Sequence, residues 1–381
     1  MSYLWLASAI RTGEIIDELP HLEVGSISRT LMKYTTAQGT LPIPTAPESW
    51  RRATKGKATC LHLVDVDDRQ ERPDVPVFGA MVTSRTRGTG DTLELTLATI
   101  EAYFGDRYVG DVTYTGVGQN LIVKDLVERF VATGPNGGIP IRVVLIDDAA
   151  GTPRDRTYTD ISDKTVYSAL RELAGVRGGP EWTVEWEKQS DPERITPVLY
   201  VGARVGRPTL AGLGPAATFE APGPTADATL EESYATGKGA TVVLATTTAS
   251  GDTRPQSAPV VTADPDRPTI EFRFSPSTSI EKVGTLDDHA AAKAAELAAG
   301  TAVLSMTAVA DRGPRLGIDW AIGDDIGYVV GGPDRHDEET VPAFPGGLTG
   351  VARAIGWELS LTGVPEVVPV LQGAESLGDE S

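Results

Sequence analysis

The hydrophobic positions of this chain change their period twice. From Tyr3 to about Asp106 apolar and polar residues alternate in short runs, the texture of β structure. In Thr92-Leu93-Glu94-Leu95-Thr96-Leu97 the alternation is strict and places the three leucines on one face of a half-buried strand. The runs from Thr59 to Val66 and from Val77 to Thr83 predict a strand pair joined by a charged loop, Asp67 to Asp74. Arg11-Thr12-Gly13 predicts a hairpin turn. Trp5, Trp50 and Phe78 are the expected core pieces of a first barrel or sandwich, and no helical period of any length occurs in this region.

From Tyr108 the pattern turns helical. Asp111 to Tyr114 are strand-like, and Gly116 and Gly118 then break the chain. Leu121, Ile122, Val123, Leu126, Val127, Phe130 and Val131 follow at spacings that share one broad helix face. Asn120 is the expected N-cap. Asp125 and Arg129 form an i,i+4 pair worth about 0.2–0.5 kcal/mol, and Gly134-Pro135-Asn136-Gly137-Gly138 stops the helix. Ile139 to Ile146 predicts a strand, Asp147 to Arg154 a turn, and Arg156 to Thr159 a return strand. Val166, Ala169, Leu170, Leu173 and Ala174 predict a second helix, capped by Ser162 or Asp163, with Gly175 at its C′ position. Alternation from Glu181 to Glu187 then puts Trp182, Val184 and Trp186 on one face. The order strand, helix, strand, strand, helix, strand is that of a split βαβ module.

The last region returns to β. Arg207 to Asp227 has no clear period and reads as a Pro/Gly-rich crossing. Ala240 to Thr248 and Thr269 to Ser275 read as strands, the second with Ile270, Phe272 and Phe274 on one face. An Ala-rich helix is expected from Leu286 to Ala299, with Thr285 as N-cap and Gly300 as its stop, its small side chains suited to close approach to a sheet. Strands resume at Thr301 to Val309, Ile326 to Val330 and Ala352 to Leu361. The polar end from Gln372 is expected to be loose. The fold class is mainly β with an α+β insertion, divided at 1–106, 107–202, 203–371 and 372–381.

Composition narrows the function classes. At 381 residues the chain has length for two or three cores, and Gly 41 with Pro 27 indicates many turns. Lys+Arg 34 against Asp+Glu 53 gives a net charge of −19, so no sequence-independent affinity for nucleic-acid phosphate is expected. The single cysteine, Cys60, excludes an internal disulfide framework and reads as a small buried side chain. Leu4 to Ile10 imitates the apolar core of a secretory signal, but no Lys or Arg precedes it. No run approaches the ~18 apolar residues of a membrane span. The expectation is a protein soluble at synthesis, without membrane anchor or legible address.

Motifs with chemical potential are incomplete. Gly116-Val117-Gly118 lies between a strand and a helix, and Asp147-Asp148 ends the next strand, as in a dinucleotide-binding unit. Leu121 stands where such a unit has its third glycine, and the acidic pair comes late, so a structural turn is the expectation. His21, His62, His289 and His336 are scattered. Neither a zinc-protease helix motif, a nucleophile elbow nor a P-loop occurs. His62 reads as a satisfied strand residue, and His336, in Asp334 to Glu339, as part of a solvated charged loop. Asp65, Asp67 and Asp68 lack the glycine and closing glutamate of a calcium loop. No catalytic, cofactor-binding or metal-ligating residue is expected, and no cofactor.

Three passages carry a family resemblance. Thr92 to Asp111, with Ala102-Tyr103-Phe104-Gly105-Asp106-Arg107-Tyr108-Val109, resembles the end of the first domain of minor tail proteins from long-tailed (siphovirus-type) actinobacteriophages. Lys164 to Trp186 resembles their middle module. Gly323-Asp324-Asp325-Ile326-Gly327-Tyr328-Val329, with Ala354-Ile355-Gly356-Trp357-Glu358-Leu359-Ser360-Leu361, resembles their closing strands. Such proteins are similar to the baseplate hub of contractile tails. The resemblance implies two β-barrel-like hub domains with an α+β insertion, and a homotrimeric ring at the virion tail tip, made in the host cytoplasm. It also implies partners: a distal tail protein, the tip of the tape measure protein, and spike or receptor-binding proteins. The function expected is structural and non-catalytic. A tail-associated hydrolase of cell-wall polymer is the alternative, and a nucleotide-binding enzyme built on Gly116 and Gly118 is a third reading.

Overall fold

A computed structural model describes residues 2–66, 72–176, 178–210, 212–223, 225–247, 254–276, 283–298, 300–331 and 341–372. The chain divides into a larger unit, Met1–Asp227 with Met306–Val370, and a smaller one, Ala228–Ser305 with Leu371–Ser381. The early alternating runs form β1 (Ser2–Ala9), β2 (Ile15–Glu18), β3 (Glu23–Val24), β4 (Ser26–Thr30), β5 (Thr36–Pro42), β6 (Thr59–Val66), β7 (Val75–Arg87) and β8 (Thr92–Thr99). A 3₁₀ turn at Ile43–Thr45 and a short helix, α1 (Trp50–Ala53), interrupt them. Seven of these strands pair in the order β2-β1-β6-β7-β8-β5-β3. Leu93, Leu95 and Leu97 are buried together, as their spacing requires, and so are Trp5, Trp50, Phe78 and Cys60. Full burial of one such side chain is worth about 1.5–3 kcal/mol.

The middle of the chain follows the expected element order with shifted ends. β9 (Val112–Gly118) runs straight through both glycines into α2 (Gln119–Phe130). Gly118 is therefore the N-cap, and Asn120 lies inside the first turn, where its Nδ2 donates to the Ala149 carbonyl at 2.8 Å. The anticipated Asn120 cap is displaced because the first helix amides already have backbone acceptors. Gln119 N donates to Thr152 O at 2.9 Å, and Asn120 N to Ala150 O at 3.0 Å. The Asp125–Arg129 pair forms at 3.2 Å. Ile122, Val123, Leu126, Val127 and Val131 are buried, whereas Leu121 is exposed.

β10 (Arg142–Leu145) and β11 (Pro153–Tyr158) precede α3 (Val166–Ala174). The cap of α3 is Thr165, whose Oγ1 accepts from Ser168 N at 3.2 Å, rather than Ser162 or Asp163, which lie in and after a preceding 3₁₀ turn. Gly175 is the C-cap in right-handed conformation (φ −74), with its N–H on Arg171 O. β12 (Glu181–Ser190) then pairs along its whole length with β13 (Glu193–Gly202), which alternation did not reveal. β9 and β11 make a two-stranded ribbon, and β10, β13 and β12 a three-stranded sheet. One continuous core joins Leu126, Leu170 and Trp182 of this module to Cys60, Met81 and Phe104 of the first β region.

The Pro/Gly-rich run after Arg207 is not a bare crossing. It contains β14 (Thr218–Ala221), and β15 (Thr225–Ser233) begins at its end. The smaller unit builds a sheet from β16 (Val242–Ala245), β17 (Val260–Val261) and β18 (Glu271–Phe274), covered by α4 (Val283–Leu297). Ala290 and Ala294 are buried against Ala245 and Val243, the close approach that small residues permit. Because α4 begins at Val283, Thr285 falls inside the helix and is not its cap, while Gly300, at φ +76, follows its end as expected. β19 (Thr301–Val309), β20 (Asp325–Val330), β21 (Leu348–Ser360) and β22 (Glu366–Gln372) are the last of the described elements.

A second sheet of the larger unit runs β14-β20-β21-β22-β19, with β4 paired onto β21. β14 lies parallel to β20, so its backbone groups are committed to the sheet. The anticipated fold class, mainly β with an α+β insertion, is observed. The loose end from Gln372 lies outside the described residues beyond that residue.

Between Arg207 and β14, Leu210 and Leu213 are 54% and 77% exposed. Thermolysin, which cuts before large apolar residues, is expected to cleave there first, with β14 protected. Mass spectrometry of the early fragments checks this; first cuts inside α2 would contradict it.

Candidate functional site

The larger unit is held by one strand that changes sheets. β3 pairs with β5, and after Gly25 the chain continues as β4 on β21, with Gly356, Trp357, Glu358, Leu359 and Ser360 opposite Thr30 to Ser26. Leu361 N donates to Gly25 O, and Leu31 N to Ile355 O, both at 2.9 Å. An aromatic chain follows the same path. Trp5 packs edge-on against Phe78, and Phe78 edge-on against Trp357, each pair with ring centroids 6.3 Å apart.

Arg29 sits on the buried face of β4, 4% exposed. Its Nη1 donates to Glu185 Oε2 at 2.9 Å; its Nη2 donates to Thr183 Oγ1 at 3.0 Å, to Glu101 Oε1 at 3.3 Å and to the Val184 carbonyl. One guanidinium thus joins the first β region to β12 of the middle module. Burial pushes the Glu185 carboxyl above its ordinary pKa, with the Arg29 charge opposing and the Glu101 charge adding.

Two further clamps bind the last β region. Arg315 Nη2 meets both oxygens of the fully buried Asp65 at 2.6 and 2.7 Å, and Arg72 adds a bond at 2.8 Å. Arg353 grips Glu181 and the Val205 carbonyl, while Arg204 and Arg207 hold Asp325 and Asp324. Burial raises the Glu181 carboxyl, but hydrogen bonds from Arg353 and the Val205 amide, with the charges of Arg353 and Arg204, outweigh it. Its pKa lies below the ordinary value.

The glycine motif ahead of α2 has no room for a ligand. A Cβ on Gly118 would collide with the Ala150 carbonyl. The chain's own backbone fills the place a pyrophosphate would need, and takes the helix amides that would bind it. β9 pairs antiparallel with β11, and Asp147 and Asp148 sit exposed in a turn. The nucleotide reading therefore lacks a site.

Asp65 is engaged by Arg315 and Arg72; Asp67 and Asp68 lie outside the described residues, as does His336 with the loop from Asp334 to Glu339. His21 and His289 are exposed and far apart in sequence. Among the described residues no group of three or more His, Cys, Asp or Glu is placed to hold a metal ion, and no helix is long and apolar enough to cross a membrane.

His62 is the most chemically suggestive of the four. Its Nε2 lies 2.7 Å from Ser8 Oγ, the spacing of a nucleophile and its base. Both residues are buried, however, and the space beside them, lined by Cys60, Ile100 and Trp186, has no room for a water molecule. His62 Nδ1 has no hydrogen-bond partner to orient the ring. The imidazole instead packs edge-on against Trp186 at 4.5 Å, over Gly79, where a Cβ would strike the indole. Burial pushes its pKa down to about 3, which disables it as a base near neutral pH. It is a packing residue between β6 and β12.

Sequence reading missed the arginine clamps. A signal existed: Ile27, Arg29 and Leu31 follow a two-residue period, and all three are buried. An arginine in the register of buried apolar residues marks a cation with dedicated partners.

No protein-family model and no curated protein matches the sequence. Among solved structures the chain is similar to the 43 kDa tail protein of prophage MuSo2 from Shewanella oneidensis, at 11% identity and TM-score 0.54, over 98% of this chain and 100% of that one. It is similar to the tail protein from Neisseria meningitidis MC58, at 17% identity and TM-score 0.55, over 98% of each chain. A half-lidded Francisella PdpA–VgrG complex matches at 8% identity and TM-score 0.51, over all of this chain and 59% of that one. At these identities the likeness is one of fold.

Two measurements test the roles of Arg29 and His62. Arg29→Met leaves two carboxylates without their cation and is expected to cost about 3–5 kcal/mol in chemical denaturation. Arg142→Met, which breaks an exposed pair with Glu187, is expected to cost under about 1 kcal/mol; equal losses would contradict the clamp. The second is pH dependence. Below about pH 6.5 the unfolded chain protonates His62 while the folded one refuses the proton until about pH 3. This residue's contribution to stability is present above pH 6.5 and lost on acidification, at up to about 1.4 kcal/mol per pH unit. His62→Gln should flatten the stability–pH curve between those limits, and an unchanged slope would refute the assignment.

Proposed function

We propose that this chain is a structural virion protein of a phage tail, which forms the hub ring at the tail tip. The observation that carries the reading is the correspondence of fold, over 98% of the chain, with two tail proteins, one of them from a prophage. The three passages quoted from the sequence extend it to long-tailed phages of actinobacteria. In this reading three copies close into a ring. Two similar β regions in each copy, 1–106 and 203–371, meet a sixfold tail tube, and 107–202 is the appended module. The ring joins the tube, through a distal tail protein, to spike or receptor-binding proteins, receives the tip of the tape measure protein, and lets DNA pass without catalysis.

Charge supports the passive role. A net charge of −19 repels phosphate. Asp65, one of the acidic residues that sequence singled out, contributes nothing to such a wall, because Arg315 and Arg72 neutralise it in the interior. Repulsion falls to carboxylates within about one Debye length, roughly 8 Å, of the passage.

Copy number in intact particles is the decisive measurement, and the expected count is a multiple of three; any other count overturns the ring. A gel-shift titration with duplex DNA at low salt, where phosphate contacts are strongest, is expected to show no complex. Salt-sensitive binding would contradict the passive channel.

A further inference from the structure

The larger unit carries an open groove of about 700 Å³, within the range of ligand clefts. Trp5, Leu22 and Leu63 line it as nearly buried side chains, and Pro20, Leu361 and Pro365 are its accessible apolar residues. Glu23 on β3 and Asp311, just after β19, stand on its walls, both exposed. Neither makes an ion pair or accepts a side-chain hydrogen bond from any described residue. They differ in this from the carboxylates of the clamps, Asp65, Glu101, Glu181, Glu185, Asp324 and Asp325, each of which has its arginine. Among the described residues no lysine, arginine or histidine lines the groove.

Backbone geometry adds a direction. β3 is the last strand of its sheet, paired with β5 alone in that sheet order, and it forms one border of the groove. A terminal strand offers N–H and C=O groups along its free side, and extended peptides add to such edges while alternate side chains enter pockets.

We infer that this groove binds an extended, basic segment of a partner polypeptide. Apolar side chains of the segment cover Pro20, Leu361 and Pro365, and its lysines or arginines meet Glu23 and Asp311. The occupant is identified by charge: two uncompensated carboxylates beside accessible apolar side chains complement a segment in which cationic and apolar residues alternate. This inference does not depend on the hub reading, since it concerns the isolated chain in solution.

The test uses purified full-length protein and three dye-labelled, end-blocked short peptides, alternating Val-Lys, Val-Thr or Val-Glu, followed by fluorescence anisotropy. The Val-Lys peptide is expected to bind saturably and more tightly than Val-Thr, and Val-Glu not at all. Glu23→Gln with Asp311→Asn should weaken Val-Lys binding by about five- to tenfold, the combined effect of two exposed charge pairs. Glu48→Gln with Asp91→Asn, two exposed acids outside the groove, controls for the overall negative charge. Thr362→Trp, an exposed groove residue, should block binding with an unchanged circular-dichroism spectrum.

Failure of Val-Lys to bind the native protein overturns the inference. So does an equal loss in the control pair, which would make the attraction one of net charge alone. Light scattering of the same variants covers a different occupant: if the groove substitutions change the number of copies in solution while no peptide binds, the groove is a contact between copies and the inference is wrong. None of these outcomes bears on copy number in the particle, so the hub reading stands or falls separately.

Discussion

The antiparallel pairing of β4 with β21 is the constraint on which the larger unit depends. It brings Arg29 opposite Trp357 and so ties the beginning of the chain to its end. Closing so long a loop is costly, but the cost grows only logarithmically with length, and each doubling adds about 0.6 kcal/mol. What the pairing changes most is independence. The first β region cannot complete its own sheet and release β4, because the backbone groups of β4 are spent on β21. The last β region likewise needs a strand it does not encode. Contacts of such sequence separation also slow folding, since the entropy is lost before the contact is made.

Pairing alone leaves the register open, and the buried arginines close it. A slip of one residue would turn every side chain of β4 to the opposite face. Arg29 would then leave Glu101, Glu185, Thr183 and the Val184 carbonyl without their donor, and Ile27 would lose its burial. An ion pair in the interior adds little net stability, but loss of one partner is severe. The clamps therefore act mainly against wrong arrangements. Arginine suits the task because its planar fork serves several acceptors at once, as Arg29 does with four and Arg353 with Glu181 and Val205.

This division of labour explains what could be read from sequence. Periodicity reports which face of an element is buried, so Leu93, Leu95 and Leu97, the apolar face of α2, and the Trp182–Trp186 face were legible. Helix starts were not, because α2 is capped by Gly118 through backbone geometry and α3 by Thr165, two residues past Asp163, while the competing Asn120 and Asp163 are equally good on propensity alone. β14 was missed because a short parallel strand needs no alternation of its own when its partner supplies the surroundings. The site was less legible still. Each clamp joins residues whose separation in sequence exceeds seventy, apart from Arg72 with Asp65, and no local pattern encodes such a meeting.

The clamps also decide where the net charge can act. Acidic residues exceed basic ones by 53 against 34, and Arg29, Arg72, Arg204, Arg207, Arg315 and Arg353 are committed to carboxylates of the seam. Those pairs cancel locally and contribute little field outside. The surplus of negative charge therefore resides on side chains with no such partner, at the surface, where it is screened beyond roughly 8 Å at physiological salt. Within that distance it acts selectively. A cationic segment gains most where two unpaired carboxylates border accessible apolar side chains, because burial of its apolar residues adds to the attraction. The same imbalance that argues against affinity for nucleic acid thus favours Glu23 and Asp311 as a place for a basic segment.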